Sequence, residues 1–80
     1  MRKKDEKKER LSEMPRITVL GSKSVFVENF CSVIICSEQE IQLNTALFLL
    51  KIIGKNMEIK TLTPGFMEVS GEISDLNIQK

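Results

Sequence analysis

The thirteen residues IQLNTALFLLKII, from Ile41 to Ile53, decide how the chain folds, because they read either as one apolar helix or as two strands. Ile41 and Leu43 alternate with polar neighbours, Asn44-Thr45 interrupts the pattern, and the apolar run that follows ends in the β-branched pair Ile52-Ile53. Alternation and β-branching fit a pleated surface, whereas a helix needs apolar positions spaced by three and four. Two strands are therefore expected, with a break near Thr45.

The same period of two extends outward from this stretch. It recurs in Ile17/Val19, Val25/Val27, Met57/Ile59 and Met67/Val69. Glycines at 21, 54, 65 and 71, the Pro64-Gly65 pair and the polar clusters Ser37-Glu38-Gln39 and Lys55-Asn56 supply turn signals between the runs. An all-β chain of about seven short strands is expected, near residues 16–20, 23–28, 31–36, 39–44, 46–53, 56–62 and 66–73. It is expected to form a single small antiparallel sheet or a rolled sandwich. Thr18-Val19-Leu20-Gly21, Lys51-Ile52-Ile53-Gly54 and Glu68-Val69-Ser70-Gly71 echo one another, each placing glycine at a strand end. Hairpin geometry explains that echo, since glycine adopts φ > 0 freely; a short β-solenoid-like stack is the alternative.

Length limits what such a fold can bury. Eighty residues make one domain, which removes only about 60% of its unfolded surface from water. Disulfides, metals or self-association commonly supplement so small a core. Apolar residues at 41% and charged residues at 29% are ordinary for a folded domain. Charge is unevenly placed: residues 1–10 carry six basic and three acidic side chains, residues 11–80 six basic and eight acidic, so +3 stands against −2. Residues 1–13 are expected to form a charged tail, flexible or briefly helical, ahead of an all-β domain at 14–80. Pro15 marks the boundary, because the residue before proline is pushed out of helical geometry.

These residues narrow the chemistry. The chain has no histidine, so no imidazole base stands beside Cys31, Cys36 or any serine, and no enzymatic activity is expected. Two thiols without histidine do not make a four-ligand zinc site, and neither a metal nor a cofactor is expected. Cys31 and Cys36 on one strand stand roughly 16 Å apart, too far for a mutual disulfide, and read as small buried hydrophobes. With no apolar segment after the charged opening to form a signal peptide, a reducing cytoplasm is the expected location. No apolar run approaches the ~20 residues of a membrane helix. Nucleic acid is not an expected partner: the folded body is acidic, and tyrosine and tryptophan are absent. The alternative is a small β-barrel that binds nucleic acid through the basic tail. No small-molecule substrate is expected, because Glu38, Glu40, Glu58, Glu68, Glu72 and Asp75 read as the solvent face of a sheet.

Two strands are apolar on both faces. In 46–53 the even positions are Ala46, Phe48, Leu50 and Ile52, while the odd ones include Leu47, Leu49 and Ile53; Val33-Ile34-Ile35-Cys36 behaves alike. A central strand covered on both sides accounts for this, and so does a face that packs on another subunit. On the second reading Leu47, Leu49 and Ile53 are the interface residues, toward a protein partner or a second copy of the chain.

The order of these elements resembles a known family. Met14-Pro15-Arg16-Ile17-Thr18-Val19-Leu20-Gly21, Val25-Phe26-Val27-Glu28-Asn29 and Ser37-Glu38-Gln39-Glu40-Ile41 resemble the opening of YqfC-type proteins. Leu50-Lys51-Ile52-Ile53-Gly54-Lys55, Ile59-Lys60-Thr61-Leu62 and Val69-Ser70-Gly71-Glu72-Ile73 resemble the glycine-punctuated strand ladder shared by the YabP and YqfC branches. The likeness runs from Met14 to Leu76, with Cys31 to Ile35 more apolar than the family pattern. It implies a sporulation protein of endospore-forming Firmicutes, made in the mother cell and without assigned enzyme activity. The family is encoded near membrane sporulation proteins, which implies a membrane-protein partner at the forespore surface.

Overall fold

The computed structural model describes residues 14–80. The expected tail at 1–13 lies outside the described residues. Six strands follow in order: β1 (Arg16–Leu20), β2 (Ser24–Glu28), β3 (Phe30–Cys36), β4 (Glu40–Thr45), β5 (Leu49–Thr63) and β6 (Phe66–Gln79). They form one sheet in the order β1-β2-β6-β5-β4-β3, every neighbouring pair antiparallel. The all-β expectation holds. A stack of solenoid rungs would need parallel neighbours, and none is present among the described residues.

Strand number departs from expectation. Residues 49–53 of the expected run 46–53 and all of 56–62 belong to one fifteen-residue strand, and β6 continues past residue 73 to Gln79. Lys55-Asn56 is therefore no turn. It belongs to an irregularity in which Asn56 and Met57 lie opposite Gly71, with Asn56 at φ 53°. Two further single-residue bulges, at Lys60 in β5 and Ser74 in β6, break the β5–β6 register. The Ser74 hydroxyl donates to the Ile53 carbonyl at 3.2 Å. Bulges bend and twist the strand that carries them.

The bends fold the long hairpin over on itself, as the connection between β2 and β3 requires. Glu28 pairs with Phe66 beside the Pro64-Gly65 turn, whereas Phe30 pairs with Thr45 near the opposite end of β5. Only Asn29 lies between them. Fourteen straight strand steps from Leu49 to Thr63 would span roughly 46 Å, whereas the two steps across Asn29 reach only about 7 Å. The sheet thus becomes two layers sharing β5 and β6. One contains β1, β2, the start of β6 and the end of β5; the other contains β3, β4, the start of β5 and the end of β6.

Four inward rows make the core. In the first layer they are Ile17-Val27-Met67-Leu62 and Val19-Val25-Val69-Ile59. In the second they are Cys36-Ile41-Ile52-Leu76 and Val33-Leu43-Leu50-Ile78. The two middle members of every row are the fully buried side chains, and they form a single cluster with Met57. Row ends are less covered: Ile17, Ile59 and Leu76 are half-buried against the core, whereas Val19, Leu62, Val33 and Ile78 are 44%, 55%, 37% and 54% exposed. Position across the sheet, rather than residue type, sets this gradient.

Candidate interaction surface

Turns and register place the side chains that face outward. At the β4–β5 connection, the buried Thr45 hydroxyl accepts from the backbone N–H groups of Leu47 (3.2 Å) and Phe48 (2.9 Å) and donates to the Phe48 carbonyl (2.7 Å). This is the local hydrogen bonding by which threonine competes with a continuous strand. It holds Leu47 at the tip of the turn, exposed, and starts β5 at Leu49 rather than residue 46.

Leu50 and Ile52 then point inward, so Leu49, Lys51 and Ile53 point out. The outer face of this layer comprises three rows: Ser32-Asn44-Leu49-Gln79, Ile35-Gln42-Lys51-Asn77 and Glu40-Ile53-Asp75. Leu49 and Ile53 are half-buried among amides and carboxylates. The Lys51 ammonium lies 3.9 Å from the Glu40 carboxylate, which also accepts a hydrogen bond from the Gln42 amide. Asn77 donates to Asp75 at 3.2 Å. A shallow hollow beside the turn is lined by Leu47, Phe48, Leu49 and Gln79. Leu47 and Leu49 are brought together there. Ile53 lies four residues along β5, in the Glu40-Asp75 row.

Other sequence expectations are corrected. Cys31 and Cys36 are free but exposed, not buried, because β3 is an edge strand with a neighbour on one side only. For the same reason Val33-Ile34-Ile35 is not a central strand covered on both faces. Gly54 and Gly71 do not end strands; they lie inside β5 and β6 where the hairpin bends.

The outer face of the first layer carries a pair that the sequence reading did not single out. Phe26 and Phe66 stand with ring centroids 6.3 Å apart, flanked by Thr18, Glu68 and the Arg16–Glu28 ion pair at 4.0 Å. The signal was available: Phe26 lies out of phase with Val25 and Val27, so it had to face outward once those two faced in. Among the described residues, no three Cys, Asp or Glu side chains come together as a metal-ligand set. No helix there is long and apolar enough to cross a membrane.

The fold and its outward faces define a small all-β protein built from one folded-over antiparallel sheet. The particular family follows from comparison with known proteins: the model described as "YabP family" matches residues 12–80, and the chain belongs to that family. It is similar to "Uncharacterized protein YqfC" of Bacillus subtilis (strain 168), with 32% identity over 63 residues, covering 79% of this chain and 68% of that protein. No solved structure matches.

Proposed function

We propose that this chain is a non-enzymatic sporulation protein, acting in the mother cell during endospore formation as a structural or interaction component of spore-envelope morphogenesis. Its partner on this reading is a membrane sporulation protein at the forespore surface. Membership in the YabP family across residues 12–80 carries the proposal. The surface supports it: Leu47 and Leu49 flank a shallow hollow, and Leu49 and Ile53 are set among hydrogen-bonding amides and carboxylates. Mixed apolar and polar lining of this kind is ordinary for a protein interface.

Deletion of the gene in its endospore-forming host, with sporulation staged by microscopy, tests the role. The deletion is expected to arrest or malform spores, and a Leu49→Lys copy that accumulates normally is expected to rescue less well than wild type. Normal spores from the deletion strain overturn the role. Full rescue by Leu49→Lys removes this face from it.

A further inference from the structure

The turn between β1 and β2 is docked against the bend of the long hairpin: the Lys23 and Ser22 carbonyls accept from the backbone N–H groups of Gly71 at 3.0 Å and Ile73 at 2.8 Å. Two lysines far apart in the chain, Lys23 and Lys55, are thereby brought to one hollow of about 360 Å³, lined also by Ser22, Glu72, Ile73 and Ser74. Its cations are left without partners. Among the described residues, Arg16, Lys51 and Lys60 each have a carboxylate within 4.0 Å, whereas Lys23 and Lys55 have none. Lys55 stands opposite Glu72 in the β5–β6 ladder and still makes no ion pair with it. The Ser74 hydroxyl is committed to the Ile53 carbonyl, while the Ser22 hydroxyl makes no hydrogen bond to a described residue.

We infer that this hollow binds a phosphate group, with the Lys23 and Lys55 ammoniums and the Ser22 hydroxyl as its donors. A phosphate monoester suits two free ammoniums better than a carboxylate does. It carries about 1.5 to 2 negative charges near pH 7 and three strong acceptor oxygens, so each donor can meet a different oxygen. Hydrogen bonds between an ammonium and such an oxygen are of the strong, charge-assisted kind. Glu72 opposes the anion from the same hollow, which keeps the binding weak and reversible. Leu20 begins the same turn, its carbonyl accepting the Lys23 N–H at 3.2 Å, and it is 55% exposed. The chemistry fits a soluble phosphate ester and equally the phosphate of a lipid headgroup, the second with Leu20 turned toward the acyl boundary. It does not depend on the sporulation role.

The full chain titrated with inorganic phosphate, against sodium chloride at matched ionic strength, is expected to show saturable amide NMR shifts at Ser22, Lys23 and Lys55. Lys23→Gln and Lys55→Gln are each expected to weaken phosphate by about fivefold, the equivalent of one charge pair at 4 Å in water. Glu72→Gln is expected to tighten it by a similar factor, and Lys51→Met, which removes a cation from the outer face of the other layer, to leave it unchanged. Lys23, Lys55 and Glu72 are exposed, so their variants keep the β-sheet circular dichroism; should one fail to fold, the other two decide the matter. Sedimentation with vesicles of phosphatidylcholine, with and without phosphatidic acid, identifies the source. Retention that needs phosphatidic acid and both lysines assigns a lipid headgroup; with phosphate bound in solution, no such retention assigns a soluble ester. Shifts no larger than chloride produces overturn the proposal. So does a loss with Lys51→Met equal to that with Lys55→Gln, or a Glu72→Gln chain that holds phosphate less tightly than wild type.

Discussion

A Cβ added to Gly54 would lie 2.3 Å from the carbonyl oxygen of Glu72, closer than side-chain carbon approaches backbone oxygen. The contact lies where the β5–β6 hairpin bends, and backbone on that side has no flexible end to move away. Gly54→Ala is therefore expected to destabilise by about 3 kcal/mol, the upper end of overpacking costs. Gly21→Ala is the comparison. Gly21 has φ 60° but open space around its Cβ position, and alanine there is expected to cost about 1–2 kcal/mol. Urea unfolding of both variants checks the difference, and equal losses would mean that the bend is not tightly held.

Asn29 is the single residue between β2 and β3, at φ 65°, and its amide donates to the Met14 carbonyl at 2.8 Å. Asn29→Val places a β-branched residue in the left-handed region. A loss of about 2 kcal/mol is expected, and less than about 1 kcal/mol for Asn29→Gly, which keeps the backbone geometry. Thermal melts of the two variants rank them; the reverse order would contradict the connection described above.

Thr45→Val conserves shape but removes the hydroxyl that bridges Leu47 and Phe48. The expected cost is about 1 kcal/mol, since the part-buried N–H groups of Leu47 and Phe48 lose their acceptor while the Phe48 carbonyl keeps the Thr45 N–H. Thr45→Ser should recover most of it. Denaturant midpoints, with unchanged slopes, would show that the effect is on stability and not on compactness.

Core truncations should follow sheet position. Leu50→Ala, at a fully buried position, is expected to cost about 2–5 kcal/mol, and Leu62→Ala, at the open end of its row, within about 0.5 kcal/mol. Comparable losses at the two leucines in chemical denaturation would refute the inward rows as drawn.

Lys51 and Glu40 lie side by side on the outer face with their side chains about a third exposed. A double-mutant cycle with Lys51→Met and Glu40→Gln is expected to give a coupling below about 1 kcal/mol that shrinks as salt is raised. A coupling that ignores salt would argue for a drier site than the structure shows.

The sequence by itself determined the local alternation. Period two in Val25/Val27, Ile41/Leu43 and Met67/Val69 marked strands whose alternating residues became part of the core, because successive side chains of a strand must face opposite ways; the run 46–53, apolar on both faces, did not show which side faced in. Gly21 and Pro64-Gly65 were legible as turns for an equally local reason: both glycines have positive φ. Tertiary structure alone decided that residues 49–63 are one strand, that Gly54 and Gly71 lie at a bend, and that β3 is an edge. Those facts depend on which strands lie side by side. Alternation says which side chains share a face, but whether a neighbour covers them is set by contacts between residues far apart in the chain. Hence the apolar runs Val33-Ile34-Ile35 and Leu47-Phe48-Leu49-Leu50 look alike as sequence, yet the first is exposed at an edge while the second leads into Leu50 at the centre of the core.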